Sequence, residues 1–225
     1  MKILLVESDR DLRSEIQIQL EKSACAVETA GTLREARHRL AFFAYDLVIL
    51  EPKMPDGNGL LLLAQLKKDS PATGVMILAD GSSLAERLNC LDSGADDFLP
   101  KPCHFAELQA RLRSIFRRRF LGGKVEFQIG PLTLHPESLE AVVDERTLPL
   151  TPTEFQLLMY FARNQHRVIT KMDIAERICG EEIDRLDDFN FIYNHIKNLR
   201  KKIVHAGVSD PIQTIYGMGY KFSAA

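Results

Sequence analysis

A two-domain α/β chain is predicted: an N-terminal doubly wound (βα)5 unit on a five-stranded parallel sheet, then a C-terminal α+β unit of winged helix-turn-helix type. Three observations predict it. Short apolar runs alternate with amphipathic stretches through residues 1–119, paired glycines interrupt that pattern in a linker at 120–124, and the texture changes over 125–225.

In the first unit the strands fall at Ile3 to Val6, Ala26 to Thr29, Asp46 to Leu50, Val75 to Ala79 and Asp97 to Leu99. Between them, Leu12, Ile16 and Leu20, then Leu84, Leu88 and Leu91, and finally Leu108, Leu112 and Ile115 recur at three- and four-residue spacing. Each set is expected to be the buried stripe of a covering helix. After the last one, Arg117-Arg118-Arg119 reads as a solvated helix end favoured by its dipole, and Gly122-Gly123 marks the boundary.

From Val125 onward, short β-like segments are broken by Gly130-Pro131, His135-Pro136 and Asp144-Glu145, as in an antiparallel meander. Helices follow. Thr151-Pro152-Thr153-Glu154 combines a capping residue, a proline at the first helical position and a glutamate three residues after the cap, opening a helix through Phe155, Leu158 and Phe161. Thr170 with Asp173 opens a second helix, a third runs from about Asp188 to Val204, and strands Pro211 to Ile215 and Gly219 to Ser223 form a closing hairpin around Tyr216-Gly217-Met218.

The bulk properties exclude several classes. The chain has 225 residues, 45% of them hydrophobic, enough for two cores. No apolar run approaches the ~20 residues that a spanning helix needs, and Met1 to Val6 meets charge at Glu7 too early for a signal peptide, so a cytoplasmic, membrane-independent protein is expected. The four cysteines, Cys25, Cys90, Cys103 and Cys179, lack metal-ligand spacing and are expected to be reduced thiols. A net charge of −2 means that any nucleic-acid contact must come from a local concentration of cations.

In an open parallel sheet the working groups gather beyond the carboxyl ends of the strands. Those positions carry Glu7-Ser8-Asp9, Glu51 through Gly57, Ala79-Asp80-Gly81 and Lys101-Pro102. Together with Gly94-Ala95-Asp96-Asp97-Phe98, they resemble the receiver domains of response regulators across the whole first unit. The resemblance implies phosphorylation of an aspartate at the third strand's end, a Mg²⁺ held by two acidic residues after the first strand, a threonine or serine ending the fourth, an aromatic switch and a lysine. This sequence departs at three of these places. Glu51 stands at the phosphoacceptor position, Ser8 replaces a carboxylate ligand, and Ala79 offers no hydroxyl, while Phe98 and Lys101 match. The expectation is a degenerate pocket of Glu7, Ser8, Glu51, Ala79, Phe98 and Lys101, with the Mg²⁺ site lost, no cofactor and no enzymatic activity. One alternative keeps Glu51, or a neighbouring acid such as Asp9, as a working phosphoacceptor. Another has Glu51 pair with Lys101 and imitate a phosphorylated aspartate, or simply fill a disused pocket.

The resemblance also implies pairing of two receivers through the fourth helix, fifth strand and fifth helix, where Arg87, Asp96, Asp97, Glu107, Arg111 and Arg118 occupy the matching positions. A homodimer formed without a phosphoryl donor is expected.

On the third helix of the second unit, Ile192, Ile196, Leu199 and Ile203 form one core-facing stripe, leaving Tyr193, Asn194, Lys197, Asn198, Arg200 and Lys201 on the polar side. His195 lies near the stripe and is read as packed. Leu150 through Phe155, His195 through Lys202 and Thr214 through Tyr220 resemble the effector domain of OmpR/PhoB proteins. The resemblance implies double-stranded DNA in tandem half-sites as partner, Asn198 as a base reader, Lys197 and Arg200 on phosphates, and a wing using Thr214 and Tyr216 supported by Tyr220. Many relatives carry arginine where Tyr216 stands, which implies different wing contacts here. The acidic loop from Glu181 to Asp188 corresponds to the segment that meets RNA polymerase in this family, a plain solvated loop being the alternative. A bacterial transcription regulator that binds DNA without phosphorylation is the favoured reading. A conventional phosphorylated regulator and a pure interaction adaptor are the alternatives.

Overall fold

The computed structural model describes residues 1–81, 83–179 and 190–223. The chain divides into two compact units, Met1–Gly123 and Lys124–Ala225.

In the first unit, β1 (Lys2–Val6), β2 (Ala26–Ala30), β3 (Leu47–Leu50), β6 (Gly74–Asp80) and β7 (Asp97–Lys101) form a parallel sheet in the order β2-β1-β3-β6-β7. A small antiparallel pair, β4 (Lys53–Met54) with β5 (Gly57–Asn58), follows β3. The central strands are buried on both faces, as the near-continuous apolar runs of β1, β3 and β6 require. Helices α1 (Arg10–Lys22), α2 (Leu33–Phe42), α3 (Gly59–Asp69), α4 (Leu84–Asp92) and α5 (Phe105–Phe120) complete the unit.

Two acidic residues of the motif loops are committed to helix starts. Asp9 caps α1, its Oδ1 accepting from the amides of Asp11 and Leu12 at 2.9 and 3.1 Å. Asp56 receives the amides of Leu33 and Arg34, both at 2.9 Å, which anchors α2 to the β4–β5 turn. Those amide bonds hold the Asp56 carboxyl below its ordinary range.

α4 departs from expectation. Leu84, Leu88 and Leu91 are exposed, by 64, 50 and 42%, and Cys90 is the buried residue of this helix. The spacing marks an apolar face correctly, yet that face looks outward from this unit. The arginines closing α5 also differ from a simple solvated end. Arg119 bonds the Asp96 carboxylate and the Pro71 carbonyl, and Arg118 reaches the Asp96 carbonyl, so they tie the helix to the start of β7. α5 itself continues through Phe120, and Leu121 beyond it is buried.

The second unit begins with the antiparallel meander β8 (Phe127–Ile129), β9 (Leu132–His135), β10 (Glu140–Val143) and β11 (Arg146–Leu148). Helices α6 (Pro152–Arg163), α7 (Lys171–Cys179) and α8 (Asn190–His205) follow. Strands β13 (Ile212–Ile215) and β14 (Gly219–Phe222) form the hairpin, and β12 (Val168–Thr170), which the sequence reading did not separate from the start of α7, pairs with β14 as a third strand. Their core includes the stacked rings of Phe161 and Phe222.

α6 opens with a reciprocal capping box between Thr151 and Glu154. Glu154 is buried to 2% exposure and also receives the Lys202 ammonium at 2.6 Å, so one carboxylate fixes the start of α6 and the course of α8. Burial pushes the Glu154 carboxyl up, but the bonds from Lys202 and Thr151 outweigh it and hold it below the ordinary value. Thr151→Ala is expected to cost about 1 kcal/mol by removing the cap, read as a lowered midpoint in urea unfolding of the second unit.

Candidate functional site

At the carboxyl end of the parallel sheet, β1, β3 and β7 bring Glu7, Ser8, Glu51 and Lys101 together. The close approach of α3 to this end of the sheet depends on Gly59, which has no side chain where a Cβ would lie 2.7 Å from the Glu51 carbonyl oxygen.

The Lys101 ammonium lies between two carboxylates, 2.7 Å from Glu7 Oε2 and 3.0 Å from Glu51 Oε1. The other oxygen of each is also engaged. Glu51 Oε2 accepts from the Ser8 amide at 2.9 Å and the Ser8 hydroxyl at 2.5 Å, and Glu7 Oε1 accepts from the Asp9 amide at 3.0 Å. Glu7 and Glu51 are both buried, at 1 and 6% exposure. Burial pushes the Glu51 carboxyl up, but the Ser8 and Lys101 bonds prevail and leave it below its ordinary value. For Glu7 burial wins over Lys101 and Asp9, and its carboxyl is raised. Burial pulls Lys101 down, yet its bonds to the two glutamates hold it above the usual lysine range.

Ala79, one residue before the end of β6, and Phe98, in β7, are buried beside this cluster and border a cavity next to Glu51. Lys101 is followed by a cis bond to Pro102.

In the second unit, the α8 stripe of Ile192, Ile196, Leu199 and Ile203 is buried. Tyr193, Asn194, Lys197, Asn198 and Lys201 are exposed on the remaining surface, and His195 is half-buried. Arg200 is held in its own chain, its Nε donating to Asp210 at 2.7 Å and its Nη1 to the Thr214 hydroxyl at 3.4 Å. A cleft of ≈ 590 Å³ separates α8 from the β13–β14 wing, bordered by Tyr193, Lys197, Arg200, Thr214, Tyr216 and Tyr220 among others. Tyr216 is fully exposed at the wing tip, whereas Tyr220 is buried at its base, where burial raises its phenol. The acidic loop from Glu181 to Asp188 lies outside the described residues.

Residues 3–113 match the family model of the response regulator receiver domain, and residues 145–222 match that of the transcriptional regulatory protein, C terminal. The chain is 30% identical to the two-component response regulator PhoP of Pseudomonas aeruginosa, across 99% of this chain and 98% of that protein. It is 34% identical to the transcriptional regulatory protein PmrA of Pectobacterium parmentieri, across 98% of this chain and 96% of that one. The chain belongs to the response-regulator family. A solved two-component response regulator from Clostridium difficile aligns with 52% of this response regulator and 97% of its own chain, at 29% identity and a TM-score of 0.51.

As a response regulator with a DNA-binding domain of OmpR/PhoB type, the protein acts in transcription regulation and is not an enzyme. No helix among its described residues is long and apolar enough to cross a membrane.

On the receiver's α4–β7–α5 side, this response regulator pairs several of the charges within one chain. Arg111 bonds Asp97 at 3.0 Å and Glu107 at 2.8 Å. Asp96 is turned inward, accepting from Lys67 Nζ and the Val75 amide, both at 2.8 Å, and from Arg119. Burial pushes the Asp96 carboxyl up, and these donors bring it below its ordinary value. Arg87, Glu107 and Arg118 are exposed. The sequence reading missed Lys67 and Arg119 as partners of Asp96, since nothing in their spacing shows that α3, α5 and β7 converge there.

Proposed function

We propose that this response regulator binds DNA as a dimer without phosphorylation of its receiver. The observation that carries this reading is the Lys101 ammonium seated between Glu7 and Glu51, with Ser8 closing the remaining Glu51 oxygen. A carboxylate engaged in this way is a poor nucleophile, because three donors already share most of its roughly four lone-pair sites. The donor set also does not fit Mg²⁺. A divalent cation needs several oxygens directed at one point, whereas here an ammonium already lies between the two glutamates and the Ser8 hydroxyl donates to Glu51. Asp9 is no ready substitute acceptor, since it caps α1.

Dimerisation would use the outward leucines of α4, Leu84, Leu88 and Leu91, with Arg87 beside them. Because Arg111, Asp97 and Glu107 satisfy one another within the chain, their contribution to pairing is register more than strength. Sedimentation of untreated protein should show dimer at micromolar concentration, and Leu88→Asp should shift it to monomer. A wild-type protein that is wholly monomeric would contradict the pairing.

DNA would be read by the exposed face of α8 in the major groove, with Asn198 on a base edge, Lys197 and Lys201 on phosphates, and Tyr193 and Asn194 alongside. Arg200, clamped by Asp210 and Thr214, orients the wing and shares less of its charge with DNA. Asn198→Ala is expected to cost ~1–3 kcal/mol on the cognate site and relax preference at one base, while Lys197→Ala should weaken all sequences and reduce the salt slope by about 1. Binding titrations on cognate and random duplexes at several salt concentrations read both effects.

A further inference from the structure

Beside the engaged carboxylates, the receiver holds a cavity of ≈ 500 Å³. Its size falls within the roughly 300–1,000 Å³ of small-molecule sites. Met54, Leu60, Ala79, Cys90 and Phe98 give it apolar walls. The polar groups on its border define the charge that it accepts. Lys53, the lysine that borders it, is paired with Glu86 at 2.8 Å, and Glu51 has both oxygens engaged. Glu86 also bonds Ser83. Asp80 differs: its side chain is 81% exposed, Lys101 lies 4.0 Å from it, and Lys53, which also acts on it electrostatically, is bonded to Glu86 instead. An anion would meet a border where the carboxylates of Glu51, Asp80 and Glu86 outnumber the lysine Lys53, whereas an amine could bury an apolar body and leave its ammonium at Asp80.

We propose that this cavity is a binding site for a small, largely apolar amine. The site shares α4 with the outward leucines, since Glu86, Asn89 and Cys90 border the cavity while Leu84, Leu88 and Leu91 face away from the core. An occupant would therefore press on the helix that carries the proposed dimer face. That consequence rests on the dimer reading; the binding itself does not.

The test follows the methyl signals of Met54, Leu60 and Ala79 in the full chain during titration with 2-phenylethylamine and, separately, 3-phenylpropionate. Saturable shifts at these methyls are expected with the amine, and at least tenfold weaker binding with the carboxylate. Asp80→Asn, at an exposed position, should weaken the amine at least threefold and leave the fold intact. Ala79→Leu, filling the cavity, should abolish the shifts at Met54 and Leu60. No saturable shift, equal affinity for the two probes, or unchanged amine binding by Asp80→Asn would overturn the proposal. Because neither DNA nor dimer is measured, such a failure leaves the DNA-binding reading standing.

Discussion

Lys101→Met is expected to destabilise the receiver by ~3–5 kcal/mol, the range for leaving a buried charge without its partner. In this protein the substitution strands two carboxylates at once, since Glu7 and Glu51 both face the Lys101 ammonium and both are buried. Urea unfolding of the receiver reads the loss directly. Combining Lys101→Met with Glu7→Gln and Glu51→Gln should recover most of it, because no unpaired charge then remains inside. A loss below about 1 kcal/mol for the single substitution would mean that water enters the cluster and screens it.

Gly219→Ala is expected to disable the wing. Gly219 has φ +151°, and a Cβ there would lie 2.1 Å from the Ile169 carbonyl oxygen and 2.9 Å from the Thr170 Cα. Both obstacles are backbone atoms of β12, to which β14 is paired at Thr170 and Gly219. Relief requires the strands to part, so a cost above about 2 kcal/mol is expected from strain of this kind. Specific DNA affinity should fall at least tenfold in a titration. Gly217→Ala provides the comparison: its φ is +74° but nothing lies within 4 Å of an added Cβ, so it carries only the left-handed penalty of roughly 1–2 kcal/mol. Equal effects of the two substitutions would show that crowding at β12 is not the cause.

The sheet and the helices were legible because their signals are local. Near-continuous apolar runs mark β1, β3 and β6, and the Thr151–Glu154 box marks the start of α6. The pocket residues were legible through their places at strand ends. What the sequence concealed depends on contacts between distant segments. Leu84, Leu88 and Leu91 have the spacing of a buried stripe, and periodicity alone does not say whether an apolar face meets the core or looks outward. β12 is short and runs straight into α7, so its pairing with β14 leaves no pattern of its own. The roles of Arg119 with Asp96 and of Lys202 with Glu154 arise from side chains 23 and 48 positions apart. Likewise, the pairing of Glu51 with Lys101 could be anticipated, but the shared hold of Lys101 on Glu7 could not.

The most direct measurement is the affinity of untreated protein for a duplex selected from a random pool, repeated after incubation with a small phosphoryl donor and Mg²⁺ and paired with intact mass of the same sample. Tight, sequence-specific binding that is unchanged by the donor, with no phosphoryl adduct, is the expected result. A stable phosphoryl adduct accompanied by sharply tighter binding would contradict it.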